Sequence, residues 1–254
     1  MTHHCHQDLL ESRVPIRVLL AGVGGTGSRV LSGLRHIHLA LLAFGRSGLE
    51  VIALDPDTVG EINLVRQAFY PADLGLAKSL MLVNRLNLSC GLAWQAGTHV
   101  VNHEVILELQ PQIVLSCVDT RKARAEIHSG VTDRASRVHY WMDFGNDRDT
   151  GQVILGEPLN AINKRARGRL RTAPELFPEI ADSSLGEDDG PSCSAREALE
   201  QQGLFVNDAV AVLGLNLLGQ LLCNEMVGFQ QTHINLGSSR VCAKQFATSG
   251  SAFR

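Results

Sequence analysis

The chain has 254 residues, 44% of them hydrophobic and 19% charged, with a formal net charge of −3. That length suffices for one large α/β domain with an insertion and a buried core, and the small net charge gives no global electrostatic case for nucleic acid or an anionic membrane as partner. No apolar run approaches the roughly 20 residues of a membrane-spanning helix. The six cysteines, Cys5, Cys90, Cys117, Cys193, Cys223 and Cys242, form no C-x-x-C pair, and residues 1–6 lack the apolar core of a secretion signal. A cytoplasmic protein with reduced thiols is expected.

Residues 1–13 read as a disordered polar tail and 14–254 as a single domain. Residues 17–21 are a short apolar run with the character of a buried parallel strand. A glycine-rich turn follows, and residues 28–44 then carry Val30, Leu31, Leu34, Ile37 and Leu41 at helical spacing. Residues 49–54 form a second apolar strand ending at Asp55. A helix is expected over 77–88, strands over 94–99 and 113–118, a charged helix over 120–128, and strands over 138–143 and 151–155. Residues 157–194 hold four prolines, a basic run from Lys164 to Arg171 and an acidic run from Glu187 to Asp189, and read as a long mobile crossover loop. A helix over 195–201, a strongly apolar helix over 208–229 and a last strand over 234–241 complete the chain. Alternating strands and helices predict a Rossmann-like α/β fold, a mostly parallel sheet covered on both faces, with ligands beyond the carboxyl ends of the strands.

Two motifs carry chemistry. Gly22-x-Gly24-x-x-Gly27 follows a strand and opens a helix, the context in which glycines let backbone approach a phosphate and the helix N-terminus offers free N–H groups. Alone, this motif fits NAD as well as ATP. Asp55, at the end of the second strand, suits ribose hydroxyls. A second acid, Asp57, then an amide, Asn63, a guanidinium, Arg66, and an ammonium, Lys78, follow within 23 residues. Such a cluster suits a triphosphate that must be held and cleaved.

The order Asp-x-Asp-x-Val, Asn-Leu-x-Arg-Gln, Gly-x-x-Lys resembles the ThiF/MoeB/E1 superfamily of adenylating enzymes, and the chain as a whole is most similar to the ThiF-family proteins of PRTRC cassettes, carried on bacterial plasmids. The resemblance implies ATP and Mg²⁺ as cofactors. It also implies adenylation of the C-terminal carboxylate of a small ubiquitin-like protein with a flexible glycine tail, and a homodimer. It gives Gly22, Gly24 and Gly27 to the nucleotide loop, Asp55 to the ribose, Asp57 and Asp119 to the metal, and Asn63, Arg66 and Lys78 to the triphosphate, with Arg66, Lys78 and Asp119 in the catalytic set.

The chain departs from the family in lacking the two C-x-x-C pairs of its structural zinc, so no such zinc is expected. His3-His4-Cys5-His6 holds ligand types, read here as adventitious. Cys193, placed before a helix in the crossover, is either a catalytic thiol taking the activated partner as thioester or persulfide, or an incidental loop cysteine. Cys117, inside an apolar strand, reads as a small core residue. Two other functions share part of this pattern: a nicotinamide-dependent oxidoreductase, which leaves Asn63, Arg66, Lys78 and Asp119 unexplained, and a non-catalytic nucleotide-binding scaffold.

Overall fold

The computed structural model describes residues 2–164, 166, 168–185 and 203–246. Strands β1 (His3–His4), β2 (Ile16–Ala21), β3 (Leu49–Leu54), β4 (Gln95–Gly97), β5 (Ile113–Ser116), β6 (Tyr140–Asn146), β7 (Thr150–Gly156), β8 (Met226–Val227), β9 (Gln231–Asn235) and β10 (Arg240–Lys244) run through them. Eight of these form one sheet in the order β10-β9-β7-β6-β5-β2-β3-β4. The half from β4 to β6 is parallel. β7, β9 and β10 continue it, each antiparallel to its neighbour.

The helices are α1 (Gln7–Leu10), α2 (Gly25–Ala43), α3 (Asn63–Arg66), α4 (Lys78–Cys90), α5 (His103–Leu109), α6 (Arg121–Thr132), α7 (Ala173–Leu176) and α8 (Val206–Cys223). Alternation along β2 sends Val18 and Leu20 into one core and Leu19 and Ala21 into the other. The first core is closed by Leu31 and Leu34 of α2 and Leu217 and Leu218 of α8. The second is closed by Ile106 of α5 and Ile127 and Val131 of α6. A sheet buried on both faces explains why β2 and β5 are continuous apolar runs. The chain winds outward from β2 through β3 to β4, then returns to lay β5 on the other side of β2. The reversal opens a crevice above the carboxyl ends of β2 and β5, where ligands of such sheets bind.

Several expectations need correction. Residues 2–13 are not a loose tail: β1 pairs with β8, and Cys5 and Leu9 are buried. The histidines that make this segment look polar find interior partners, His3 Nε2 lying 2.9 Å from the Tyr140 hydroxyl and His6 Nε2 2.6 Å from the buried Glu157 carboxylate. The first part of the expected mobile crossover is also packed. Asn160 and Asn163 are buried and donate to the carbonyls of Val131, Val138, His139 and Pro158. Arg169, within the basic run, grips Glu175 through two hydrogen bonds of 2.9 and 2.5 Å, so its charge is committed inside the fold.

The apolar helix α8 stops at Cys223, because Glu225 adopts a φ of +63° that ends the helical path. By length and composition α8 could cross a membrane, with half of it buried inside this fold. The single last strand is a hairpin, β9 and β10, turned through Ser239 at a φ of +53°. Helix α5, not expected, is opened by Asn102, whose side chain accepts the Val105 amide at 2.9 Å. The helix expected over 195–201 and the thiol of Cys193 lie outside the described residues.

Candidate nucleotide site

The turn after β2 is built by glycines of unlike purpose. Gly22 has a φ of +84°, a conformation that side chains resist. A methyl on Gly27 would stand 2.0 Å from the Gly22 carbonyl oxygen, so this position closes the turn against the start of α2. A methyl on Gly24 would meet nothing nearer than the Gln67 amide at 3.8 Å. The space over Gly24 is open, the cradle that a phosphate approaching backbone requires.

Asp55 fastens this turn to the end of β3. One carboxylate oxygen accepts the Val23 amide at 2.6 Å and the other the Asp57 amide at 2.9 Å. Burial raises its pKa above the usual carboxylate range, and these two amides oppose the rise. Asp55 therefore organises the loop and lines the cleft described below.

Asp57 and Lys78 are joined twice. The Lys78 amide donates to the Asp57 carbonyl at 3.0 Å, and Lys78 Nζ reaches Asp57 Oδ2 at 2.8 Å. The lysine side chain is 8% exposed and the aspartate 64%, so a nearly buried ammonium is balanced by a solvated carboxylate. The pairing arises because Gly75, at φ +79°, turns the chain back so that residues 75–77 bond along residues 58–59.

Arg66, Gln67, Lys78, Asp57 and Asp119 line one cleft with Gly22, Gly24 and Asp55. Burial lowers the pKa of Arg66. Gly27 lies beneath this surface, and Asn63 is not among the lining residues: its Oδ1 instead accepts the Gly60 amide at 2.8 Å, holding the turn before α3. Asp119 is exposed at the end of the loop after β5. Cys117, expected inside the strand, follows β5 and lines the cleft; its free thiol is half-buried against the first core, and burial pushes its pKa well above the usual range.

Two groups of lining residues are absent from the sequence reading. Asn207 Oδ1 accepts from Thr26 at 3.0 Å and from Asn146 at 2.6 Å, which ties the starts of α2 and α8 to the end of β6. Asp143, buried in β6, accepts the Ser116 hydroxyl at 2.6 Å and Arg124 Nε at 3.3 Å, while the Trp141 indole donates to Ser116 at 2.7 Å. Asp143 ends an expected strand, as Asp55 does, and the same rule about acids at strand ends points to it. Nothing local marks Thr26, Asn146 and Asn207.

The cleft has a volume of about 1300 Å³. It extends from Val100 and Val101 on the β3 side, across the glycine loop, to Gln152 and His233 on the antiparallel side. Glu179 and Ile180, beyond α7, form part of its wall. Among the described residues no group of three or more His, Cys, Asp or Glu is arranged to hold a metal ion, the N-terminal histidines included. A cation here would need ligands from a bound phosphate chain as well as from Asp119 and Asp57, the mode in which Mg²⁺ is held by one or two carboxylates plus phosphates.

No family model matches the sequence, and no curated protein matches it. Solved structures do match in fold. E. coli MccB in a structure with ATP aligns with a TM-score of 0.62 and 18% identity, over 96% of this chain and 67% of that one. E. coli MccB with selenomethionine MccA gives 0.65 and 17%, over 97% and 67%. PaaA gives 0.60 and 16%, over 94% and 66%. This chain spans about two thirds of the length of these proteins. The likeness defines a ThiF-type fold, a mostly parallel eight-stranded sheet flanked by helices.

Proposed function

We propose that the chain is a ThiF-type adenylating enzyme, of the kind carried in PRTRC cassettes, acting as a single adenylation domain. In this reading it uses ATP and Mg²⁺ to adenylate the C-terminal carboxylate of a small ubiquitin-like protein. The observation that carries the proposal is the convergence of an open glycine cradle, Arg66, the Asp57–Lys78 pair and Asp119 on one cleft at the topological switch point. The neighbours solved with ATP and with MccA support a nucleotide and a second partner molecule as the two ligands.

A carboxylate is ionised at neutral pH, so the attack needs no general base. The barrier is the approach of one anion to another, and catalysis is positioning and charge neutralisation. One carboxylate oxygen bonds to the α-phosphorus, the bond from that phosphorus to the bridging oxygen breaks, and pyrophosphate leaves with the electron pair. Arg66 and Lys78 neutralise the phosphates, the ammonium exchanging its carboxylate partner for a phosphate oxygen. Asp119 and Asp57 would hold Mg²⁺, which supplies further charge neutralisation on the phosphate chain. The cleft exceeds the 300–1000 Å³ or so of ordinary small-molecule pockets, leaving room for a glycine tail beside the nucleotide.

The apolar groove between α8 and β9, lined by Phe205, Val212 and Leu236, supports association as a homodimer. The reading is tested by ATP–pyrophosphate exchange with a ubiquitin-like protein encoded beside the chain. Exchange that requires the partner's terminal residue is expected. ATP binding without exchange for any glycine-ended partner would favour a scaffold.

A further inference from the structure

We infer that Arg124 and Asp143 are positioning residues that aim Asp119 at the metal of the bound nucleotide; this rests on the adenylation reading. The Arg124 guanidinium donates from Nη2 to the Val118 carbonyl at 2.8 Å and from Nε to Asp143 Oδ1 at 3.3 Å. Val118 immediately precedes Asp119 in the chain. On the other side Thr120 caps α6, its hydroxyl accepting the Ala123 amide at 3.2 Å and its carbonyl the Arg124 amide at 3.2 Å. The backbone that carries Asp119 is clamped at both neighbours, and Arg124 makes the upstream clamp.

The arginine is itself held. Asp143 is 1% exposed and fixed by the Ser116 hydroxyl, which the Trp141 indole orients. Ser116 and Asp143 lie directly opposite in the β5–β6 register, so the sheet sets the anchor. A guanidinium committed to a buried carboxylate and a carbonyl is poorly placed to serve as a phosphate ligand, although Arg124 lines the cleft. Its geometry is that of an outer partner orienting a metal-binding carboxylate, whose removal costs metal affinity about 10–100-fold.

The test compares wild type, Arg124→Lys and Asp143→Asn, using a non-hydrolysable ATP analogue and Mn²⁺. Bound metal is counted by electron paramagnetic resonance, and nucleotide affinity is measured with and without metal. Arg124→Lys keeps a cation beside Asp143 but has no second arm for the Val118 carbonyl. Its Mn²⁺ affinity in the ternary complex is expected to fall about 10–100-fold, with metal-free nucleotide affinity and melting temperature near wild type. Asp143→Asn releases the arginine from the other end and gives the same split should the lysine variant not fold. Unchanged Mn²⁺ affinity in the folded variants, or equal losses with and without metal, would overturn the inference. Wild-type protein that binds no nucleotide would overturn the adenylation reading, and this inference with it.

Discussion

Gly24→Ala and Gly27→Ala differ by three residues and predict different defects. At Gly24 a methyl meets no protein atom nearer than 3.8 Å, an ordinary contact, but the φ of −72° with a ψ of −136° lies outside the regions that alanine favours, at a cost of about 1–3 kcal/mol. The melting temperature should fall by about 2–4 °C for each kcal/mol lost. The same methyl fills the cradle, and each charge-assisted hydrogen bond lost to a phosphate is worth about 1.5–3 kcal/mol. ATP affinity should therefore fall about 10–100-fold. At Gly27 the methyl stands 2.0 Å from the Gly22 oxygen, so the turn or the helix start must move, at a cost of about 1–3 kcal/mol or more. Titration calorimetry with an ATP analogue and a thermal melt separate the two. Gly24→Ala protein that stays folded and binds the ATP analogue as wild type does would refute the phosphate cradle.

Lys78→Met keeps the volume of a nearly buried side chain but removes its charge; pyrophosphate exchange should drop about 10²–10³-fold with the circular dichroism spectrum retained. Leu9→Ala, at a position 2% exposed, should destabilise the fold by about 2–5 kcal/mol in urea titration, whereas a disordered tail would register nothing. Burial lowers the pKa values of His3, His128, His139 and His233 below the ordinary 6.5. The unfolded chain then binds more protons as pH falls through about 6.5, so the stability present above that pH is lost below it. Melts from pH 8 to 5 check this, and His139→Gln should flatten the decline.

The glycine turn between β2 and α2 was legible because its signals are local: a strand, spaced glycines and a helix within a few tens of residues. The Asp57–Lys78 pair was legible as two separate motif positions, but their contact depends on a chain reversal at Gly75 that spacing alone does not specify. Asn207 was invisible because its partners Thr26 and Asn146 lie 181 and 61 residues away. The N-terminal segment was misread for the same reason. His6 looks solvated until Glu157, 151 residues on, is folded beside it. The crossover's basic run was misread because Arg169 finds Glu175 only once α7 forms. Asn63, assigned by motif position, holds a turn beside the cleft instead of lining it.

The most direct measurement is the intact mass of a glycine-ended ubiquitin-like partner after incubation with the chain, ATP and Mg²⁺. The partner is expected to be heavier by one adenylate, a gain lost with Asp119→Ala and with removal of the partner's last residue. A partner of unchanged mass, alongside wild-type protein that demonstrably binds ATP and that partner, would contradict it.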